Sequence, residues 1–228
     1  MLSIKLKNLW ARFWMKHSGL SRFGRIACQI AGWFEPPYYG RVPLSMYGPH
    51  GYISPTAIIH HPKLNISKQC FIGDGVIIYQ DREGDAVFLS EQVHLHSNTT
   101  LQTGMGGKIT IGFGTHIQPR CQISAYKGSV HIGKGGEIAP NCAFYPYDHG
   151  FLPGVPIRNQ PLKSAGDIIL GDDVWLGFGV TVLDGVHIGD GAIIGAGSVV
   201  TKNIPEESIA VGNPARIVKT RRELEKKD

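Results

Sequence analysis

From about residue 51 the chain returns to an aliphatic side chain at every sixth position. The clearest run is Leu170-Gly-Asp-Asp-Val-Trp, Leu176-Gly-Phe-Gly-Val-Thr, Val182-Leu-Asp-Gly-Val-His, Ile188-Gly-Asp-Gly-Ala-Ile, Ile194-Gly-Ala-Gly-Ser-Val and Val200-Thr-Lys-Asn-Ile-Pro. The first slot is aliphatic throughout, the fourth is Gly, Asp or Asn, and the fifth never carries a charge. A short flat strand followed by a turn with positive φ explains this, because Gly, Asn and Asp tolerate that turn best. Three such units close one triangular coil. Leu170 is then expected to stack on Ile188, Leu176 on Ile194 and Val182 on Val200, at a strand spacing of about 4.8 Å. Each fully buried aliphatic contributes on the order of 1.5–3 kcal/mol, and no unit buries its face alone, so several coils are required. A sandwich of Gly-rich hairpins would alternate at period two and vary in strand length, which this register does not do.

The register continues more weakly upstream, in Ile66, Ile72 and Ile78; Leu89, Leu95 and Leu101; Ile111, Ile117 and Ile123; and Ile132, Ile138 and Phe144. Insertions interrupt it around Asp81 to Asp85, Thr103 to Lys108, Ala125 to Ser129 and, at greatest length, Tyr145 to Asp167. The pattern predicts an all-β parallel β-helix over 51–205 with an external loop at 145–167. Beyond it, 206–228 supplies a cap strand around Ile209 to Lys219 and a charged tail from Thr220 to Asp228. A cap protects the exposed sheet edge of the last coil.

Residues 1–50 follow another rule. Leu2, Leu6, Leu9 and Phe13 recur at helical spacing, with Lys5, Lys7, Arg12 and Lys16 mostly on the remaining surface. Ser18-Gly19 breaks this helix, and a second is expected from Ser21 to Trp33, stopped by Pro36-Pro37. Two uses of the basic amphipathic segment stay open: packing on the β-helix or a neighbouring subunit, and peripheral contact with an anionic membrane surface.

Composition fits this division. Thirty glycines in 228 residues suit regularly spaced tight turns, and 42% hydrophobic residues suffice for a core. The formal net charge of +5 points to an anionic partner without choosing its kind. Cys28, Cys70, Cys121 and Cys142 form no CxxC pair and read as reduced, buried small hydrophobes. Met1 to Lys16 lacks an uninterrupted apolar core of a signal peptide, and no stretch of about 18 apolar residues occurs. The expected location is cytoplasmic, with membrane association left open.

Chemistry is expected in the long insertion, because loops on a rigid scaffold carry most sites. It holds a single histidine, His149, suited to general-base work near neutral pH or to a plain hydrogen-bonding role. His94 and His96 share a strand face, while His116 and His131 lie in other coils. The γ-class carbonic anhydrases place three histidines on zinc in such a helix, but their histidine spacing is absent here, so no metal is expected.

The run Ile138-Ala-Pro-Asn-Cys-Ala-Phe-Tyr-Pro-Tyr-Asp-His149, the insertion with Pro161, Ile169-Leu-Gly-Asp-Asp-Val-Trp175-Leu-Gly, Ile194-Gly-Ala-Gly-Ser-Val-Val-Thr-Lys202 and Val211-Gly-Asn-Pro-Ala-Arg216 together resemble one family. It is the hexapeptide-repeat acyltransferases, in particular the maltose, galactoside and nodulation-factor O-acetyltransferases and those of capsule and O-antigen pathways. The likeness covers roughly 109–220; the long N-terminal part is similar to the surface-polysaccharide enzymes. It implies a left-handed helix, acetyl-CoA as co-substrate, a sugar or polysaccharide-precursor hydroxyl as acceptor, and a homotrimer with sites between neighbouring subunits. It implies no nucleic acid. By position His149 takes the family's general-base role, Gly177 or Phe178 the oxyanion amide, and Trp175 the tryptophan beside the pantetheine arm. Gly177 and Ala196 line that arm's groove, with Thr201 and Lys202 further along, and Arg216 with Lys219 meets the nucleotide phosphates. The family's sugar-holding asparagine falls near Arg120 or Cys121, a departure that leaves the acceptor open; Asn141 reads as a turn residue. His94, His96, His116 and Arg120 remain candidates for the acceptor cleft. N-acetylation of an amino-sugar nucleotide, acetylation of a xenobiotic, and a non-catalytic assembly module are the alternatives.

Overall fold

The computed structural model describes residues 3–223; Leu2 and the tail from 224 to 228 lie outside the described residues. Among these residues three sheets of nine, seven and six strands, parallel but for the antiparallel last strand of the first, form a β-solenoid of seven coils; the last two strands of the nine belong to the C-terminal cap, and the last coil joins the third sheet through the isolated Ile188–Ile204 bridge. We call them face A (from Tyr52–Ile53 to Arg216–Thr220), face B (Ile58–His60 to Val199–Val200) and face C (Leu64–Ile66 to His187–Ile188). The expected stacking is present. Leu170 pairs with Ile188, Leu176 with Ile194 and Val182 with Val200. The weaker runs occupy the same inner columns: Ile72, Leu95, Ile117, Ile138 and Leu176 stack on face A, and Ile78, Leu101, Ile123, Phe144 and Val182 on face B. These side chains form one continuous core along the solenoid. The fifth-slot residues Val174, Val180, Val186, Ala192, Ser198 and Ile204 fill the inside of the corners.

Every large insertion leaves at one corner, between faces B and C. Extra residues enter between Ile78 and Leu89, Leu101 and Ile111, Ile123 and Ile132, and above all Phe144 and Leu170, while the other two corners keep the six-residue step. The corner between faces A and B is the plainest. There Arg120 and Asn141 take left-handed φ values of 63° and 62°, and Arg120 Nε donates to Asn141 Oδ1 at 3.0 Å. The thiols of Cys121 and Cys142 point into this corner and donate to Ala139 O and Gly177 O. All four cysteines are free and buried.

The N-terminal segment folds as α1 (Ile4–Met15) and α2 (Arg22–Ala31), capped by the Ser3 and Ser21 hydroxyls, followed by a 3-10 stretch Tyr38–Tyr47. One side of the helix pair seats it on the first two coils: Ala11, Met15, Cys28 and Ala31 pack with Leu44 against Tyr52 and Phe71, which project outward from face A. Arg25 reaches across to the carbonyls of Pro55 and Ala57. The segment thus packs on the β-helix, but not through the stripe that its periodicity marks: Leu6, Leu9 and Phe13 are exposed. No helix among the described residues is long and apolar enough to cross a membrane. At the other end, Ser208–Val211 extends face A and Arg216–Thr220 folds back antiparallel on it, closing the edge as a cap.

Candidate active site

The loop that carries His149 is built, not slack. Asp148 and Lys163 exchange two backbone hydrogen bonds of 2.8 Å, and Gly150 N donates to Pro161 O, so the loop leaves the B–C corner as a narrow ribbon. Gln160 ties its tip: Leu152 N donates to Oε1 at 2.8 Å, and Nε2 donates to the carbonyls of Leu152 and Val155. Lys127 Nζ holds Leu162 O. Asp167 anchors the return, accepting from Ser129 N at 2.7 Å and facing His131 Nε2 at 3.7 Å. His131 is therefore a root of this loop, and Thr110 Oγ1 lies 2.7 Å from its other nitrogen. The tip presents apolar surface to solvent, with Phe151 75% exposed. His149 sits on the ribbon with an exposed imidazole.

The groove candidates lie elsewhere on the same chain. Gly177 and Phe178 turn the A–B corner of the sixth coil, and Ala196 turns it one coil later. A Cβ on Gly177 would stand 2.6 Å from Ala196 N, so only glycine permits this approach. Of the two amides expected as oxyanion donors, Gly177 N–H is already committed to Ile194 O at 2.8 Å. That leaves Phe178 N–H, for which the described residues offer no acceptor. Trp175 stands on the outer surface of face A, 52% exposed, between Glu137 and Ile193 in register.

Lys202 and Arg216 come together: both line a shallow depression at the last coil with Asn203, Ala215 and Ile217. Thr201 precedes it, exposed, while Lys219 lies beyond Ile217 on the cap strand opposite Ile209. Arg221, read from sequence as part of a solvated tail, is instead structural. It pairs with Asp173 at 3.1 Å and Glu207 at 3.4 Å and donates to Gly191 O, fastening the cap to the coils. Only its charge was legible, because its partners are far off in sequence.

The other candidate histidines, His94, His96 and His116, form a second cluster on face A. His94 and His116 stack face to face at 4.4 Å, and His96 lies 6.2 Å from His94. Tyr39 of the N-terminal segment covers His96 at 4.9 Å and its hydroxyl donates to Gln118 Oε1. His116 Nδ1 meets Glu137 Oε1 at 3.2 Å. Burial, and then the neighbouring His116, lowers both His94 and His96 to about 4, so they stay neutral at pH 7. His116 stacks on His94 and His96 meets His94 edge-on, and among the described residues no group of His, Cys, Asp or Glu is placed to hold a metal.

The parts do not converge within one chain. The His149 loop is rooted at the B–C corner of the fifth coil, which lies across the prism from face A and Trp175. Face A itself carries two sets, the histidines near its start and Trp175 further along, with Glu137 between them.

Comparison with known proteins adds a family to this geometry. The model of the bacterial transferase hexapeptide (six repeats) matches residues 167–202. A Dictyostelium discoideum protein, provisionally named an acetyltransferase, is 33% identical over 139 residues, 58% of this chain and 68% of that one. A Staphylococcus aureus (strain COL) protein with the same provisional name is 37% identical over 135 residues, 59% of this chain. The chain spans 66% of that relative's length. Among solved structures, the polySia-specific acetyltransferase NeuO superposes with a TM-score of 0.52 at 23% identity, over 74% of this chain and 82% of its own. At that identity the likeness concerns the fold.

Proposed function

The chain belongs to the hexapeptide-repeat transferases, and on that premise we propose that it transfers an acetyl group from acetyl-CoA to a hydroxyl of a sugar or surface-polysaccharide precursor. The observation that carries this reading is the long ordered ribbon. Of the insertions at the B–C corner, the longest is braced by Gln160, Lys127 and Asp167, and it holds an exposed imidazole.

His149 is the general base. It takes the acceptor hydroxyl's proton as the oxygen attacks the thioester carbonyl carbon. The C–S bond breaks, the proton passes to the departing thiolate, and the products are the acetyl ester and free coenzyme A. Phe178 N–H donates to the tetrahedral oxyanion. Gly177 and Ala196, stacked without intervening side-chain bulk, line the pantetheine groove, with Trp175 beside it. Lys202 and Arg216 suit the nucleotide phosphates, because two cations in one depression make charge-assisted contacts. Since the ribbon and the groove stand at different sides of one solenoid, the reading places the working site between neighbouring chains of a homotrimer, at a cytoplasmic location. Neutral His94 and His96 with Gln118 offer hydrogen-bonding groups to a polyhydroxyl acceptor.

The test is His149→Ala. Folding should be unchanged, since the exposed ring makes no hydrogen bond, ion pair or ring contact among the described residues, and kcat should fall at least about a hundredfold. Free-thiol release with sugars, sugar nucleotides, oligosaccharides and antibiotics as acceptors separates O- from N-acetylation and both from xenobiotic acetylation. Wild-type turnover by the variant removes His149 from the chemistry. No binding of acetyl-CoA at all would favour a non-catalytic assembly module.

A further inference from the structure

The outer surface of the N-terminal segment has no part in the fold or the proposed chemistry. The helices are seated by Ala11, Met15, Cys28 and Ala31 on their inner side, and many of their large apolar residues face away. Ile4 is 78% exposed, Leu9 67% and Trp33 73%; Leu6, Phe23 and Ile26 are also exposed. The patch is continuous. Ring contacts run from Phe34 to Trp10 at 5.8 Å, Trp10 to Trp14, Trp14 to Phe13, Phe13 to His17, and His17 to Phe23 at 6.0 Å. Contiguous apolar surface of this kind marks an interaction site in a folded protein.

Its charge is one-sided. Residues 1–34 contain six Lys and Arg and no Asp or Glu, whereas residues 35–228 hold 17 cations against 18 acids. The whole positive balance of the chain therefore sits on these two helices. Arg25 is used to dock them on the β-helix, and Arg12 lies over the Tyr47 ring at 5.2 Å. Lys5, Lys16 and Arg22 are left exposed and Lys7 half-exposed. We propose that this face docks on an anionic lipid bilayer, with α1 and α2 lying in the interface and their apolar residues in the acyl boundary. Both requirements of such binding are on one surface: apolar side chains to insert, and cations without neighbouring carboxylates to meet lipid headgroups. A second copy is the poorer occupant, because a symmetric pairing would bring two cation-only rims together. Neither helix is long enough to span the bilayer, so the attachment is peripheral and reversible.

The experiment is flotation of the full chain with phosphatidylcholine vesicles and with vesicles containing phosphatidylglycerol. Wild type should float with the anionic vesicles, remain mostly free of the neutral ones, and be released by salt. Each cation is worth about fivefold in partitioning on an anionic surface, so Lys5→Glu/Lys7→Glu should bind at least about tenfold more weakly. Leu9→Ser/Phe13→Ser should lose binding to a similar degree while keeping the wild-type circular dichroism spectrum and melting curve, since both side chains are exposed. The proposal fails if wild type floats with neither vesicle, if both double variants float like wild type, or if Leu9→Ser/Phe13→Ser instead breaks a protein oligomer in sedimentation. Thiol-release activity in free solution is independent of each outcome, so the docking claim stands or falls apart from the chemistry.

Discussion

Acidification should loosen the contact between the N-terminal segment and face A. His94 and His96 lie under Tyr39, Val42 and Pro43, and both are held near 4 against an ordinary 6.5. Their folded-state values lie below the unfolded one, so the unfolded chain binds protons first as pH falls. The stability they confer is complete above about 6.5, declines through pH 6 and 5, and is gone below about 4. Taken alone, each ring would lose about 2 kcal/mol between pH 7 and 5. Two facts reduce the sum. His96 is only 5% exposed, but His94 is partly open to solvent, and repulsion from His116 is shared by both. The expected loss for the cluster is on the order of 1–2 kcal/mol. Urea unfolding followed by far-UV circular dichroism, at fixed protein concentration and at pH 7 and pH 5, measures it. The His94→Gln/His96→Gln variant serves as the reference: it starts less stable, but its midpoint should move less between the two pH values. Equal movement in wild type and variant would show that the cluster is not the source.

Leu176 is fully buried between Ile138 and Ile194, and Leu176→Ala should cost about 2–5 kcal/mol in chemical denaturation, because neighbouring coils cannot collapse onto the gap. Gln160→Ala removes three hydrogen bonds from the exposed ribbon tip. It should leave the global melting temperature nearly unchanged while lowering kcat roughly tenfold through a misplaced His149, as read by thiol release.

The solenoid was legible because a repeat constrains each residue by its neighbours at a fixed step. Leu170, Leu176 and Val182 predict their own partners, and even the weaker runs through Ile72 or Leu101 fall into the same columns. That the insertions share one corner follows from the same counting, since only the step between faces B and C varies. What stayed hidden depends on direction or on distant partners. Helical periodicity identifies an apolar stripe on α1 but not which way it faces, and here Ala11 and Met15 took the inner position. Arg221 looked like tail until Asp173 and Glu207 appeared beside it. That the Gly177 amide is already bonded to Ile194 O, unlike that of Phe178, was visible only in the structure. The family resemblance supplied the candidate roles, and the register alone could not have told His149 from any loop histidine.

The separation of ribbon and groove makes the trimeric reading testable without a structure of the assembly. If His149 of one chain serves the groove of the next, two different inactive chains should repair each other. One is His149→Ala, with an intact groove; the other is Lys202→Glu/Arg216→Glu, with an intact base and a phosphate depression that repels its ligand. Each alone should be nearly inactive at low acetyl-CoA. After the two are unfolded and refolded together in equal amounts, a site combines a sound base with a sound groove only when the two chains differ in the right order. In a cyclic trimer this happens at about a quarter of the sites, so about a quarter of wild-type activity should return. A site contained in one chain would return none, because every chain in the mixture carries one defect. The outcome depends on which chain supplies each group and not on how strongly either group acts, so it tests the arrangement separately from the chemistry assigned to His149.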